Sequence, residues 1–292
     1  MFSVLVEISL NSDSFLKHFR AKFCESFIYT MINNTKHYCL RLMQTVNATE
    51  ICNKAVSHVA VILPTYCEAG NIEHLILTIE NLGIDPTIVV IDDSSPDETG
   101  NLVRKLQENY SNIVLLSRPY KAGLGTAITD CFRFILSRPS PPDYMVTMDA
   151  DYSHDPQDIP RLLQQAERGN DVVIGSRYCR DGKVKGWDLR RLITSKVANK
   201  ITAKLVALPI NDFTSGFRCY SRQYVQKVLP KLHSQTYEIQ IETLRQARLH
   251  HARVAETPIT FTNRKKGKSK LTKNEIFSFL LYILKTVPRK SK

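Results

Sequence analysis

Two carboxylates separated by one small residue, Asp149-Ala150-Asp151, close the apolar run Tyr-Met-Val-Thr-Met148, and His154 and Pro156 follow shortly afterwards. Read as chemistry, a buried strand delivers two acids to its C-terminal end. Carboxylates this close repel one another unless a proton or a cation lies between them. A hard divalent ion with oxygen ligands, Mg2+ or Mn2+, suits the pair, with substrate phosphates completing its shell. Alone, an Asp-x-Asp after a strand reads more readily as a solvated turn. The rest of the chain has to decide.

Two further polar clusters follow apolar runs: Pro64-Thr-Tyr66-Cys-Glu68 and Asp92-Asp93-Ser-Ser-Pro-Asp97. Apolar runs at 59–63, 87–92, 112–117, 144–148 and 171–175 alternate with helical spacing over 71–81, 97–109, 121–137 and 156–169. Strands apolar on both faces and alternating with helices imply an α/β fold. Its sheet is mostly parallel and Rossmann-like, with helices on both faces and right-handed crossovers. In such a sheet ligands bind at the carboxyl edge, so the three polar ends should share one crevice. Acids for a base or ribose, a metal on a pyrophosphate and cations around it would suit a nucleoside diphosphate.

Other sites find less support. The chain has no G-x-x-x-x-G-K-[ST] loop, which excludes a P-loop nucleotidase. Gly123-Leu-Gly125 lacks the third glycine of a dinucleotide fingerprint; these glycines suit close backbone approach at a helix N-terminus. No G-x-S-x-G supports a Ser/His/Asp triad. His154 reads as a hydrogen-bonded loop histidine in preference to a base or metal ligand.

After Ser176-Arg177-Tyr178 the alternation breaks. Residues 182–187 read as a flexible basic loop, and 188–208 as a helix carrying Arg190, Arg191, Ser195 and Lys196 near its start. A polar turn at 211–217, a short strand-like run, helices near 221–229 and 237–250 and a strand over 253–261 follow. Residues 57–262 thus read as one domain.

The 43% hydrophobic and 23% charged fractions of the 292 residues are those of an ordinary globular protein. Seven cysteines with no C-x-x-C pair argue against a zinc site or a disulfide scaffold, and for a reducing compartment. No run reaches the roughly 20 apolar residues that span a bilayer. The opening MFSVLVEISL, broken by Glu7 and without a basic n-region, does not read as a signal peptide. Phe15, Phe19, Phe23 and Phe27 form one stripe, so 1–56 reads as an amphipathic helix or an extension with little fixed structure. From Arg264 onward ten basic residues face one acid, Glu275, so this segment holds +9 of the formal +12. Such a concentration suits phosphates, anionic lipid or nucleic acid. The run 276–287 within it is apolar-rich with basic flanks; it suits either a membrane interface or packing against the sheet.

Taken in order, seven motifs resemble the dolichol-phosphate mannosyltransferases, inverting family 2 glycosyltransferases of GT-A fold. They are Pro64-Thr-Tyr66-x-Glu68, Asp92-Asp93-x-Ser-Pro-Asp97, Lys121-x-Gly-Leu-Gly125, Met148-Asp-Ala-Asp-Tyr-Ser-His-Asp-Pro156, Gly175-Ser-Arg-Tyr178, Asp212-Phe-Thr-Ser-Gly-Phe217 and Arg264-x-x-Gly-x-Ser-Lys270. The resemblance runs over 57–287 and implies transfer of mannose from GDP-mannose to dolichyl or another polyprenyl phosphate. By that resemblance Pro64, Tyr66, Glu68 and Asp93 hold the nucleoside. Asp149, Ala150 and Asp151 carry the metal on the diphosphate, and Arg264 and Lys270 close over the phosphates. Arg177, Arg191 and Ser195 receive the acceptor phosphate, with the two arginines offering forked hydrogen bonds. Asp149, Asp151 and Arg177 are the expected catalytic residues.

The resemblance also implies a peripheral enzyme on the cytoplasmic face of a membrane, with small membrane-anchoring subunits in some members and no nucleic-acid partner. That membrane is the endoplasmic reticulum in a eukaryote and the cell membrane in a prokaryote. Cys67 stands where many members have Asn, and Ser153 where some have a metal-contacting Gln, which leaves the third protein ligand open. Two other readings share these residues. One is a polyprenyl-phosphate glucosyltransferase using UDP-glucose, since Glu68 and Asp93 do not separate guanine from uracil. The other is a non-catalytic module of nucleotide-sugar fold on anionic membranes.

Overall fold

The computed structural model describes residues 57–264 and Tyr282. The expectations for 1–56, for Lys270 and for the basic segment beyond Arg264 lie outside the described residues, as does the run 276–287 apart from Tyr282.

Short β-rich runs become strands here because both of their faces find apolar partners. Strands β1 (Val59–Thr65), β2 (Thr87–Asp92), β3 (Ile113–Ser117), β4 (Tyr144–Thr147) and β5 (Val172–Ser176) alternate with helices. Those helices are α1 (Ile72–Glu80), α2 (Thr99–Gln107), α3 (Leu124–Leu136) and α4 (Ile159–Glu167). Strand β6 (Lys183–Lys185), helix α5 (Leu189–Val206), strand β7 (Arg218–Ser221), helices α6 (Arg222–Val228) and α7 (Ile239–Leu249), and strands β8 (Val254–Pro258) and β9 (Thr260–Thr262) complete it.

The main sheet has seven strands in the order β3-β2-β1-β4-β7-β5-β8. All neighbours are parallel except β7, which runs antiparallel to both β4 and β5. Alternate residues of each strand enter opposite cores. Ala60 and Ile62 join Phe132, Val225 and Leu244 on one face, while Val61 and Leu63 join Leu75, Val103 and Leu162 on the other. This two-sided burial is what makes the strands read as continuous apolar runs.

Two expectations change, and a third element takes a place the sequence left open. The stretch 182–187 is not a simple loop: Lys183–Lys185 pairs in parallel with Thr260–Thr262 as a second, two-stranded sheet. The single strand expected over 253–261 therefore divides at Ile259, whose buried side chain marks the step from one sheet to the other. The strand-like run after the 211–217 turn does not add to an edge but inserts between β4 and β5. Being antiparallel, it carries its preceding turn to the edge where the parallel strands end.

Candidate functional site

Register aligns the strand ends. Thr65 pairs with Asp92, and Asp92 in turn with Ser117, so Tyr66, Asp93 and the segment after β3 leave the sheet at one level. The crevice they form is lined by Pro64, Tyr66, Glu68, Asp93, Asp149, Ala150, Asp151 and Arg264. These are eight of the nine residues expected to bind a nucleotide sugar; the ninth, Lys270, lies outside the described residues. Lys121 and Tyr237 also line it, and sequence reasoning gave neither a role. The Lys121 ammonium lies 4.6 Å from the Tyr66 ring centroid, within cation–π range.

Each of the three loops turns through a left-handed residue other than glycine immediately after a site residue. Cys67 (φ 57°), Ser94 (φ 52°) and Tyr152 (φ 58°) follow Tyr66, Asp93 and Asp151. Such a conformation costs on the order of 1 kcal/mol or more and persists where surrounding contacts hold it. Those contacts are present. The Cys67 N–H donates to Ser95 Oγ (2.9 Å), Ser94 Oγ donates to the Arg118 carbonyl (2.6 Å), and the Tyr152 hydroxyl bonds His74 of α1.

The two central acids differ. Asp149 keeps 42% of its side chain exposed. Asp151 is 5% exposed and pairs with Arg264, Nη2 to Oδ2 3.0 Å. Burial works against ionisation of Asp151, yet hydrogen bonds from Ser153 and the charge of Arg264 hold its carboxyl below the usual range. Ser153 is 2% exposed and gives its N–H to Asp151 (2.9 Å), so this residue supports the acid from behind. Among the described residues no three His, Cys, Asp or Glu side chains gather to hold a metal. The donor set still fits a hard cation: two carboxylates, one open to the crevice, with phosphate and water oxygens for the remaining positions.

His154 is the loop histidine expected. It is 1% exposed, accepts the Asp149 N–H at Nδ1 (3.3 Å) and packs on Phe217 and Phe261. Burial pushes its pKa down to about 4, against the pull of Asp151, so the ring is neutral at physiological pH. Its Nδ1 being an acceptor, the proton sits on Nε2.

Asp93 was expected to hold the nucleoside. Its carboxylate accepts from Arg118 Nε (2.6 Å) and from the Ala122 N–H (3.2 Å), so it also anchors the loop bearing Lys121. Arg118 escaped sequence reasoning, because nothing in its neighbourhood marks it. Gly123 and Gly125 do serve a close backbone approach, but to the chain itself. A Cβ at Gly125 would stand 2.3 Å from the Ser234 carbonyl oxygen, and the Gly125 N–H donates to the Gln235 carbonyl (2.9 Å).

Arg191 and Ser195 lie in the first two turns of α5 and Arg177 directly follows β5, but the fork of Arg177 is engaged. Its Nε and Nη2 bond the two oxygens of Asp212 (2.7 Å each), and Nη2 also reaches Thr214 (2.7 Å). Burial disfavours the guanidinium charge and Asp212 more than offsets it, leaving the Arg177 pKa raised. The Nε–Nη2 fork expected for a phosphate thus serves a buried ion pair, made possible by the β7 insertion. Arg191 donates to Asn263 (3.0 Å), and Ser195 accepts the Tyr178 hydroxyl (2.8 Å).

A mostly parallel sheet whose carboxyl edge holds an acid pair and cations around one crevice suits a nucleotide-dependent group-transfer fold. The profile of Glycosyl transferase family 2 matches residues 60–229. The chain belongs to this family and is a glycosyltransferase. It is 38% identical to "Polyprenol monophosphomannose synthase" of Mycolicibacterium smegmatis, over 74% of this chain and 82% of that protein. It is 36% identical to "Dolichol-phosphate mannosyltransferase" of Pyrococcus furiosus, over 77% of this chain but 62% of that longer protein. The crystal structure of glucosyl-3-phosphoglycerate synthase from Mycobacterium tuberculosis, in complex with Mn2+, UDP and glucosyl-3-phosphoglycerate, superposes with a TM-score of 0.59. That match covers 81% of this chain and 82% of that one at 18% identity, and it establishes the GT-A-like fold.

Proposed function

We propose that the chain transfers mannose from GDP-mannose to dolichyl or another polyprenyl phosphate with inversion. The observation that carries this is the crevice lined by Pro64, Tyr66, Glu68, Asp93, the acid pair and Arg264, with Arg191 close enough to Arg264 and Asp151 to feel their charges. The names of the two curated relatives support the acceptor and the sugar. In the reaction an oxygen of the acceptor phosphate bonds mannose C1 as the C1–O bond to GDP breaks, and GDP leaves with that electron pair.

A phosphate monoester carries about −1.5 to −2 charges at neutral pH, so the nucleophile needs no strong base. A neutral, buried His154 agrees with that. The chain's contribution is electrostatic. Asp149 and Asp151 would hold Mg2+ or Mn2+, which when bound supplies Lewis-acid stabilisation of the departing diphosphate. Arg264, and Lys270 by the motif, add charge at the same place. Arg191 and Ser195 orient the acceptor, with the Arg177–Asp212 pair fixing the backbone behind them.

The acceptor's lipid calls for a membrane surface. Among the described residues no helix is long and apolar enough to cross one. Helix α5 instead exposes Leu189, Ile193, Val197 and Ile201 at four-residue spacing, beside Lys196 and Lys200. An apolar stripe with basic flanks suits peripheral association with a cytoplasmic membrane face. Membrane-anchoring subunits would add to that.

The test is incubation of the protein with labelled GDP-mannose and dolichyl phosphate, with and without Mg2+ or Mn2+, followed by lipid extraction. Metal-dependent label in the lipid phase is the expected result. Label from UDP-glucose and none from GDP-mannose would replace the donor; none from either would leave a non-catalytic module.

A further inference from the structure

Arg191 stands close enough to Arg177 and Arg264 to feel both charges, and those two have a carboxylate partner: Arg177 with Asp212, Arg264 with Asp151. Arg191 has no carboxylate within ion-pair distance among the described residues. The groups its guanidinium touches are neutral. Nη1 donates to the Asn263 side-chain oxygen (3.0 Å), and the guanidinium lies over the Trp187 ring, 4.1 Å from the centroid. The same ring stands 5.6 Å from the Arg177 guanidinium and packs edge-on against Phe261, centroids 5.2 Å apart at 71°. Phe261 in turn faces His154 behind the acid pair. Trp187 is therefore fixed from one side by the second sheet and offers its face to Arg191 on the other.

The choice of partner has a consequence. A carboxylate at this position would hold Arg191 equally well but would cancel its charge and occupy its N–H fork. The π face of an indole attracts the guanidinium through its quadrupole and leaves the N–H edges directed outward. Burial, Arg264 and Arg177 depress the Arg191 pKa, with Asp188 and Asp151 opposing them from beyond ion-pair distance of the guanidinium. An arginine held by a ring keeps its full charge and its donors for a doubly charged ligand.

We propose that Trp187 is the positioning residue of the acceptor site, its ring holding Arg191 so that the guanidinium meets the phosphate of a phosphate-monoester lipid. This rests on the reading of Arg191 as an acceptor-phosphate residue.

The experiment uses the full chain and a water-soluble, short-chain prenyl phosphate as acceptor, with Trp187→Leu and Trp187→Phe compared to the parent. Leu removes the π face, and the acceptor KM should rise about tenfold, with the GDP-mannose KM little changed. Phe keeps a face and should recover most of that loss. An unchanged acceptor KM in Trp187→Leu, equal rises in both KM values, or a Phe variant no better than Leu would overturn the proposal. Trp187 is the sole tryptophan of the chain, so its emission reports this site without labelling. Titrating the parent protein with the prenyl phosphate should change that emission saturably, and Arg191→Met should weaken the response. A response unaffected by Arg191→Met also counts against the proposal. A saturable, Arg191-dependent response without mannosyl transfer would remove the assigned reaction and leave the positioning role supported.

Discussion

Arg264 Nη2 lies 3.0 Å from Oδ2 of Asp151, so the cation proposed for the nucleotide phosphates is paired with the carboxylate proposed for the metal. The two roles share one group. A divalent ion on Asp151 would meet the guanidinium as a like charge, and phosphate oxygens between them would relieve that repulsion. Arg264→Met should therefore tighten binding of Mn2+ to the protein alone, several-fold, while weakening binding of GDP in the presence of Mn2+. Isothermal titration calorimetry reads both; weaker Mn2+ binding in the variant would refute the shared role.

Asp151→Ala removes the buried acid of the pair. Loss of a metal-stabilised leaving group costs on the order of several kcal/mol in transition-state stabilisation, so transfer should be nearly abolished. The secondary structure, read by circular dichroism, should persist. Near-parental turnover would sink the assignment of the acid pair.

The Asp212–Arg177 pair lies at the carboxyl end of β5 with side-chain exposures of 0% and 7%. Breaking one partner of such a pair leaves a buried charge, so Asp212→Asn should destabilise the fold by about 3–5 kcal/mol in chemical denaturation at neutral pH. Burial would raise the Asp212 pKa, but Arg177 and the N–H groups around it hold the carboxyl below its usual range. A depressed folded-state pKa means that the contribution is fully present above the unfolded value, about 3.9, and is lost as pH falls through the lower folded value. The difference between parent and variant should thus stay level from pH 8 to about 5 and shrink only in acid.

Gly125 meets the backbone of residues 234 and 235, not a side chain that could turn aside. Gly125→Ala should cost about 1–3 kcal/mol through forced backbone displacement. It should also raise the KM for the nucleotide sugar, because Lys121 and Leu124 of the same turn line the crevice. Thermal unfolding and donor kinetics test the two effects; an unchanged melting temperature would contradict the close approach.

On α5, Ile193 and Val197 keep about half of their surface exposed (52% and 50%). If that stripe rests on lipid, Ile193→Glu should weaken co-sedimentation with anionic vesicles about tenfold, while transfer to a water-soluble prenyl phosphate stays near the parental rate. Vesicle binding unchanged by the substitution would assign the stripe another partner.

The alternation of apolar runs and helices, the acid pair at a strand end and the cluster of polar strand ends were legible in the sequence. Each rests on local period or on the edge rule of parallel sheets, and neither needs long-range information. The pairing of Asp212 with Arg177 was not legible, because it depends on β7 entering the sheet backwards, a choice made by packing between β4 and β5. Nor were the left-handed turns at Cys67, Ser94 and Tyr152, which carry no glycine to announce them and are held by bonds from residues 28, 24 and 78 positions away. Lys121 and Trp187 entered the site the same way. Sequence spacing placed Asp149, Asp151 and the strand ends on one edge. Only tertiary structure decided which cations are compensated by a carboxylate and which, like Arg191, are held by a ring and keep their charge for a ligand. Charge compensation depends on distances across the fold, and local pattern does not encode them.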